Sequence, residues 1–416
     1  MNPQSLLSDS HRSVLPPRQP AIRPQEAGQE HRSRRELLQF SPPGVGQEEI
    51  DEVVDTLRSG WITTGPKTQR FETEFQQRVE APAVLALNSS TTALHLGLLV
   101  LGIRPGDEVV TTPLNMAASI HAIEHLGAVP RFADVASDTL TLDPVAVESA
   151  LTPRTRAILA VHYAGHPVEL DAFRDVAQQH RLGLLEDAGQ VVPSSYKGQL
   201  IGSGENPVAF SFHATKNLTT EAGMLTGGPD LIQRARWLAL QDGRRDPWNP
   251  YGPGGSWFEE MQETEFKYSM TDIQAAIGLA QLRGLREFQH RRRQIAAAYT
   301  QAFQDVDALE TPVERPDVEH AWHLYVLRLR LGALRIDRLR FIRELRARHI
   351  GTAVHFLPLH LHPYYREKYR YAPEAFPVAL SNYQRMLSLP LHPRLSDGDV
   401  LDVIEAVLDV VSRFSR

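Results

Sequence analysis

The chain has 416 residues, 42% hydrophobic and 23% charged, which is enough apolar material for more than one compact core and predicts two domains. Its formal net charge is −6 and its basic residues are scattered, which argues against a nucleic-acid or anionic-membrane partner. It has no cysteine, so a disulfide scaffold, a thiolate nucleophile and a cysteine-ligated metal are all excluded. We therefore expect a small-molecule substrate.

Residues 1–38 predict a flexible tail, because they are rich in Pro, Gln, Arg and Ser and lack the apolar core of a secretory signal. Three acidic residues, Asp9, Glu26 and Glu30, argue against a transit peptide. No apolar run approaches the roughly 18 residues that a membrane span needs. We expect a cytoplasmic protein with no membrane partner.

From Phe40 onward, short β-branched runs alternate with longer helical patterns, without a repeat at a fixed period. Such alternation predicts an α/β fold with a mostly parallel central sheet. Predicted helices cover residues 47–58, 69–79, 89–101, 115–126 and 170–180. Predicted strands cover residues 83–87, 108–112, 129–135, 156–162, 183–185 and 208–212.

The last part of the chain predicts a smaller α+β domain. An Ala-rich helix at residues 270–281 precedes a basic helix at 283–303, which is long enough to connect two domains. A strand at 325–331 and helices at 338–348 and 397–414 follow. We place a large domain at residues 39–290 and a small domain at 291–416.

Three polar groups lie at predicted strand ends or helix starts. Lys216 and Asp187 each follow a strand, at the sheet edge where open α/β sheets bind ligands. Alone, Lys216 would be a solvated loop lysine, and a helix N-cap is an alternative role for Asp187. Together, a lysine with some neutral amine can attack a carbonyl, and a buried aspartate can keep a pyridinium nitrogen protonated. Ser89 to Thr92, at a helix start, would suit a phosphate, or simply cap the helix.

Several segments resemble motifs of the DegT-type nucleotide-sugar aminotransferases, and the resemblance runs from about Phe40 to the C-terminus. They are residues 60–72 (GWITTGPKTQRFE), 88–94, 186–190, 210–217, 268–276 (YSMTDIQAA) and 355–365 (HFLPLHLHPYY). The resemblance implies a fold type I enzyme that depends on pyridoxal 5'-phosphate. It also implies a homodimer in which the neighbouring subunit completes each active site.

The resemblance assigns roles to residues of this sequence. Lys216 would form the Schiff base, Asp187 would partner the pyridine nitrogen, and Gln190 would contact the phenolic oxygen of the cofactor. The residues implied for the phosphate are Thr91, Thr92 and Ser211. The residues implied for the sugar nucleotide are Trp61, Thr63, His355, His360 and His362.

Three departures from the family pattern bear on the cofactor site. Met116 stands where relatives have an aromatic residue that stacks on the cofactor ring, and its sulfur could cover the ring instead. The segment 219–223 (TTEAG) is one residue shorter than the usual pattern after the lysine. Where relatives supply a phosphate-binding Asn from the partner subunit, this chain has Lys267 and Ser269, either of which could replace it.

The resemblance implies transfer of an amino group from L-glutamate to a keto sugar nucleotide. The motif at residues 210–217 (FSFHATKN) favours a 4-keto-6-deoxy sugar over a 3-keto sugar. A sugar dehydratase of the same fold is an alternative, although it replaces the lysine by histidine. A non-catalytic cofactor-binding regulator is a second alternative, but the sequence contains no DNA-reading motif that would support it.

Other patterns predict no further cofactor. His355, His360 and His362 lack an adjacent carboxylate ligand, so we expect no metal. Residues 198–204 lack the third glycine of a dinucleotide fingerprint. The run of arginines at 291–293 fits a solvated or interdomain helix face better than a phosphate site. Trp322 and His323 are either packing residues or part of the sugar pocket.

Overall fold

The computed structural model describes residues 34–240 and 264–416. Most of the predicted tail lies outside these ranges, but its last residues are bound to the C-terminal part of the chain. Arg34 forms ion pairs with Asp399 and, at 2.8 Å, with Asp402, and Leu38 bridges to Ile350. Within the described ranges, no helix is both long and apolar enough to cross a membrane.

The helices alternate with strands over the first two thirds of the chain. In chain order, the α-helices are α1 (Gln47–Ser59), α2 (Pro66–Val79), α3 (Ser90–Val100), α4 (Ala117–His125), α5 (Pro144–Ala150), α6 (Leu170–His180), α7 (Pro229–Leu240), α8 (Asp272–Phe303), α9 (Arg338–Ala347), α10 (Pro363–Tyr369), α11 (Pro377–Arg385) and α12 (Asp397–Phe414). The predicted bounds of α6 and α12 are confirmed. Helix α4 starts two residues later than predicted, which leaves Asn115 and Met116 in the preceding loop.

A seven-stranded sheet forms the centre of the fold. The strands are β1 (Ala83–Leu87), β2 (Glu108–Thr111), β3 (Val129–Phe132), β4 (Thr155–Val161), β5 (Gly183–Asp187), β6 (Ser195–Tyr196), β7 (Gln199–Leu200), β8 (Val208–Ser211), β9 (Gly223–Gly227), β10 (Leu309–Glu310), β11 (Val318–Glu319), β12 (Tyr325–Leu329) and β13 (Met386–Leu389). The central order is β1-β9-β8-β5-β4-β2-β3. Strand β9 is antiparallel to both neighbours and the other pairs are parallel, so β1, β2, β3, β4, β5 and β8 end at one edge.

An aromatic cluster fixes the strand that leads to Lys216. Phe71 and Phe75 of α2 pack edge-to-face on Phe212 and Phe210, with ring centroids 5.2–5.6 Å apart. All four rings are fully buried. Edge-to-face aromatic pairs add about 0.5–1.5 kcal/mol each beyond the burial of their area. Helix α2 therefore holds β8 and the start of the following loop in place.

The C-terminal part of the chain forms its own apolar cluster around the antiparallel sheet β10-β12-β13, with α9 and α12 packed on it. The prediction of separate helices at 270–281 and 283–303 is wrong, because α8 is continuous from Asp272 to Phe303. It contains no proline, and a Thr271–Gln274 capping box fixes its start. The proposed domain boundary near residue 290 falls inside this helix and stays a prediction.

Gly223 lets β9 approach the start of α3 closely, and an alanine there should destabilise the protein. A Cβ would lie 2.4 Å from the carbonyl carbon and oxygen of Ser89, which are backbone atoms that cannot rotate away. We expect Gly223→Ala to lower the free energy of unfolding by about 1–3 kcal/mol, measured by urea denaturation. Gly332→Ala is the matched control, since nothing lies within 4 Å of its Cβ. Equal stability of the two variants would contradict the close packing.

Candidate active site

Asp187 is the last residue of β5, two residues beyond the predicted strand end, and its carboxylate is buried. Oδ2 accepts hydrogen bonds from the Ser119 hydroxyl at 2.6 Å and the Asn115 amide at 3.1 Å. Oδ1 accepts one from the Gly189 backbone N–H at 3.1 Å. Three donors stabilise a negative charge that burial would otherwise disfavour. Sequence reasoning missed Asn115 and Ser119, whose only signal was their i, i+4 spacing after β2.

Lys216 lies in the loop after β8, with its backbone N–H donating to the His213 carbonyl at 2.8 Å. Burial lowers the pKa of its amine to about 8, against an opposing effect of the Asp187 carboxylate. The two predicted catalytic side chains therefore share one electrostatic environment. A lysine with this pKa has a neutral fraction near neutral pH, which attack on an aldehyde requires.

Two histidines of the C-terminal part of the chain face the lysine. Burial, with a smaller effect of the Lys216 ammonium, lowers the pKa of His323 well below its usual range. The same two causes lower the pKa of His355 to about 4. His323 Nε2 lies 3.2 Å from the Thr215 carbonyl oxygen, and His355 Nδ1 lies 2.9 Å from the Ser388 hydroxyl. Both imidazoles are neutral at neutral pH, so neither competes with Lys216 for Asp187.

Gln190 connects His323 to the segment after β4. Its Oε1 accepts the Ala164 backbone N–H at 2.8 Å and lies 3.4 Å from His323 Nδ1. With the oxygen engaged, the amide nitrogen is the group that can donate to a ligand. His323 thus belongs to the site, whereas Trp322 is a packing residue, stacked on His320 with ring centroids 4.1 Å apart.

The start of α3 provides a candidate phosphate site. Ser89 is the N-cap and accepts the Thr92 backbone N–H at 3.2 Å. The Thr92 hydroxyl donates to the Ser89 carbonyl at 2.7 Å, so it belongs to the cap. The first-turn N–H groups at Ser90 and Thr91 face the helix N-terminus, which favours anions. Ser211, buried at the end of β8, lies at the same sheet edge.

The shortened loop after the lysine has a defined conformation. The N–H groups of Thr220 and Glu221 both donate to the Phe212 carbonyl at 2.8 Å, and Glu221 adopts φ 55°. The Glu221 carboxylate accepts the Ala214 N–H at 2.7 Å, while its carbonyl accepts the Gln274 amide at 2.7 Å. This turn therefore closes the Lys216 loop back onto β8 and α8.

Three apolar side chains near this edge are exposed: Trp61, Ile62 and Met116. Met116 directly follows Asn115, which binds Asp187. The Trp61 indole N–H donates to the Thr64 carbonyl at 3.0 Å. The carbonyl of Thr63, whose side chain is exposed, accepts the Asp272 N–H at 3.0 Å. The loop before α2 is thus fixed on α8.

The other predicted site residues have partners of their own. His360 is buried, with Nε2 3.0 Å from the Pro373 carbonyl and its ring against Phe376. His362 lies against Tyr365. Lys267 is exposed, and Ser269 bridges to Leu87 of its own subunit. Among the described residues, no group of three or more His, Asp or Glu side chains could hold a metal.

The donor set at this edge fits pyridoxal 5'-phosphate. A hydrogen-bonded carboxylate suits a protonated pyridine nitrogen, a lysine of lowered pKa suits the aldehyde, and a helix N-terminus suits the phosphate. The lysine, carboxylate and helix start come from β8, β5 and β1, which end together. Each part of the cofactor therefore has a chemically matched partner.

Comparisons with known proteins agree with this geometry. The model of the DegT/DnrJ/EryC1/StrS aminotransferase family matches residues 43–408. The spore coat polysaccharide biosynthesis protein SpsC of Bacillus subtilis is 47% identical over 381 residues, which cover 91% of this chain and 98% of SpsC.

Solved structures agree as well. The PMP form of the putative sugar aminotransferase Spr1654 from Streptococcus pneumoniae superposes with a TM-score of 0.85 at 34% identity, covering 90% of this chain and 99% of that one. DesV of S. venezuelae gives 0.79 at 36% identity, covering 88% and 95%. The chain therefore belongs to the DegT/DnrJ/EryC1/StrS aminotransferase family and is a fold type I, pyridoxal-phosphate-dependent sugar aminotransferase.

Proposed function

We propose that this enzyme transfers the amino group of L-glutamate to a nucleotide-linked 4-keto-6-deoxy sugar, giving an amino sugar nucleotide and 2-oxoglutarate. The observation that carries the proposal is Lys216, a half-buried lysine of lowered pKa beside a hydrogen-bonded aspartate. The motif at residues 210–217 supports the 4-keto preference. The name of SpsC, which refers to polysaccharide biosynthesis, fits a sugar product.

Each residue of the cofactor site has a separate role in this reaction. The bound cofactor supplies an electron sink for the carbon that carries the transferred nitrogen. Lys216 holds the cofactor through Nζ and, once displaced, moves a proton with its neutral amine. Asp187 stabilises positive charge at the pyridine nitrogen, and Gln190 donates from its amide nitrogen to the phenolic oxygen. The α3 N-terminus and Ser211 bind the phosphate.

We propose that the enzyme acts as a homodimer with shared active sites. The exposed Trp61, Ile62 and Met116 lie near the catalytic edge, where a second subunit would exclude water from them. Lys267 and Ser269 remain the candidates for contact with the phosphate in the partner's site. The sugar nucleotide would then meet Trp61, Thr63 and His355.

The lowered pKa of Lys216 predicts how cofactor uptake depends on pH. A pKa of about 8 leaves about a quarter of the amine neutral at pH 7.5, against roughly 0.1% for an ordinary lysine. We expect the rate of pyridoxal 5'-phosphate uptake by cofactor-free protein to rise with pH and reach half its maximum near pH 8, measured by stopped-flow absorbance. Lys197→Ala, which removes an exposed lysine, should keep this profile. A midpoint near the ordinary lysine pKa would contradict the assignment.

Asp187→Asn should slow amino transfer by about 10²- to 10³-fold, because the carboxylate no longer stabilises positive charge at the pyridine nitrogen. The rate is measured in single-turnover reactions with glutamate. Glu186→Gln is the matched control, since Glu186 is also buried but points to the opposite face of β5 and lies 3.2 Å from His162 Nε2. Similar losses in both variants would show a general structural effect instead.

The substrate can be tested in two steps on the holoprotein. Glutamate should convert the cofactor to its amino form, seen as a change in its absorbance spectrum. A 4-keto sugar nucleotide should then restore the original spectrum with a kcat/KM at least about 10-fold above that of a 3-keto analogue. Preference for the 3-keto analogue would reassign the sugar position. An unchanged spectrum with glutamate would exclude glutamate as the donor. A non-catalytic regulator or a sugar dehydratase would give this result.

A further inference from the structure

A cavity of about 640 Å³ lies beside the Lys216 loop. Its walls are the start of α1 with the segment before it, the loop at 214–219, the middle of α8 and the segment after β13. Ligand cavities for small molecules commonly measure about 300–1,000 Å³. Of the residues assigned above to the cofactor, only Lys216 lines this cavity, so a second molecule could bind there without displacing the cofactor.

Arg292 brings a buried positive charge to the cavity wall. It lies on α8 and is 3% exposed. Its Nη1 donates to the carbonyls of Leu391 at 2.8 Å, Trp322 at 3.2 Å and His323 at 3.5 Å. Within residues 34–240 and 264–416, Nε has no hydrogen-bond partner and no carboxylate forms an ion pair with the guanidinium.

The charge of Arg292 is unusual for this helix. Arg283, which also lines the cavity, pairs with Glu48 and Glu52 at 3.3 and 2.9 Å. In the part of the chain that the structure describes, the hydrogen-bond partners of Arg292 are all neutral carbonyl oxygens. Burial lowers its pKa to about 9, which leaves it protonated at neutral pH. A buried cation without an anion is costly, so an anionic ligand would be strongly favoured at this position.

Asn217 supplies a second unpaired polar group in the same wall. Its amide nitrogen donates to the Ala321 carbonyl at 2.7 Å. Its Oδ1 is buried and has no partner among the described residues. The donor Arg292 and the acceptor Asn217 thus both line one cavity, at whose boundary the reactive Lys216 also lies.

We propose that this cavity is a carboxylate-binding site, in which Arg292 holds the carboxylate and Lys216 marks the reacting end. The planar guanidinium matches a carboxylate in shape and charge. The natural ligand is then the amino-acid donor or its 2-oxo acid product, an identification that rests on the proposed function. The alternative ligand with the same carboxylate chemistry is a free dicarboxylate that takes no part in the reaction.

Equilibrium binding of glutarate to the holoprotein tests the site directly, because glutarate has neither an amino nor a keto group and cannot react. Isothermal titration should detect binding to the wild type. Arg292→Gln should weaken it by about 10- to 100-fold, the usual range for loss of a charged hydrogen bond. Glu287→Gln removes an exposed negative charge from the cavity wall and should tighten binding by about 2- to 5-fold.

Arg286→Gln is the matched control, since Arg286 is exposed on the same helix and does not line the cavity. It should leave glutarate affinity unchanged. If Arg292→Gln fails to fold, the comparison of the Glu287 and Arg286 variants still decides the question. No glutarate binding to the wild type, or equal responses of these two variants, would overturn the proposed site.

A kinetic measurement distinguishes the two sources of the ligand. If the donor uses this site, glutarate will compete with glutamate, and Glu287→Gln will lower the KM for glutamate with little change in kcat. Glutarate binding without competition would overturn the donor assignment. If glutamate fails as a donor altogether while glutarate still binds through Arg292, the proposed function fails and the carboxylate site stands.

Discussion

The structure depends on placing a buried carboxylate at the edge where the six parallel strands of the central sheet end. Asp187 is stabilised there by donors from three separate segments: the loop before α4, α4 itself and the turn after β5. These hydrogen bonds offset the cost of burying the charge. They also join the segment after β2 to the end of β5 across the intervening β4, so the same charge organises the sheet edge around it.

Lys216 is the complementary constraint, since a half-buried lysine near this carboxylate must keep part of its amine neutral in order to react. Burial lowers its pKa to about 8 although Asp187 opposes the shift. The two nearest ionisable groups of the C-terminal part, His323 and His355, are neutral at neutral pH. The site therefore combines the Asp187 carboxylate with a Lys216 ammonium group that loses its proton readily. Arg292, which has no ion-pair partner among the described residues, adds a positive charge at the cavity beside Lys216.

The sequence predicted what local patterns determine. Apolar runs and helical periodicity located β1, α6 and α12, and they placed Lys216 and Asp187 at strand ends. Strand β9 was missed because its five residues begin and end with glycine and because one of its two partners, β1, is distant in the sequence. The contact of Ser119 with Asp187 spans 68 residues, and the cavity at Arg292 joins several segments, so both required the folded chain.

The central claim is that Lys216 carries the cofactor. Reduction of the purified holoprotein with borohydride, followed by proteolysis and mass spectrometry, fixes the cofactor covalently on the lysine to which it is bound. The account predicts a phosphopyridoxyl group on the peptide that contains Lys216. Attachment to a different lysine, such as the exposed Lys267, or no attachment to any peptide, would contradict it.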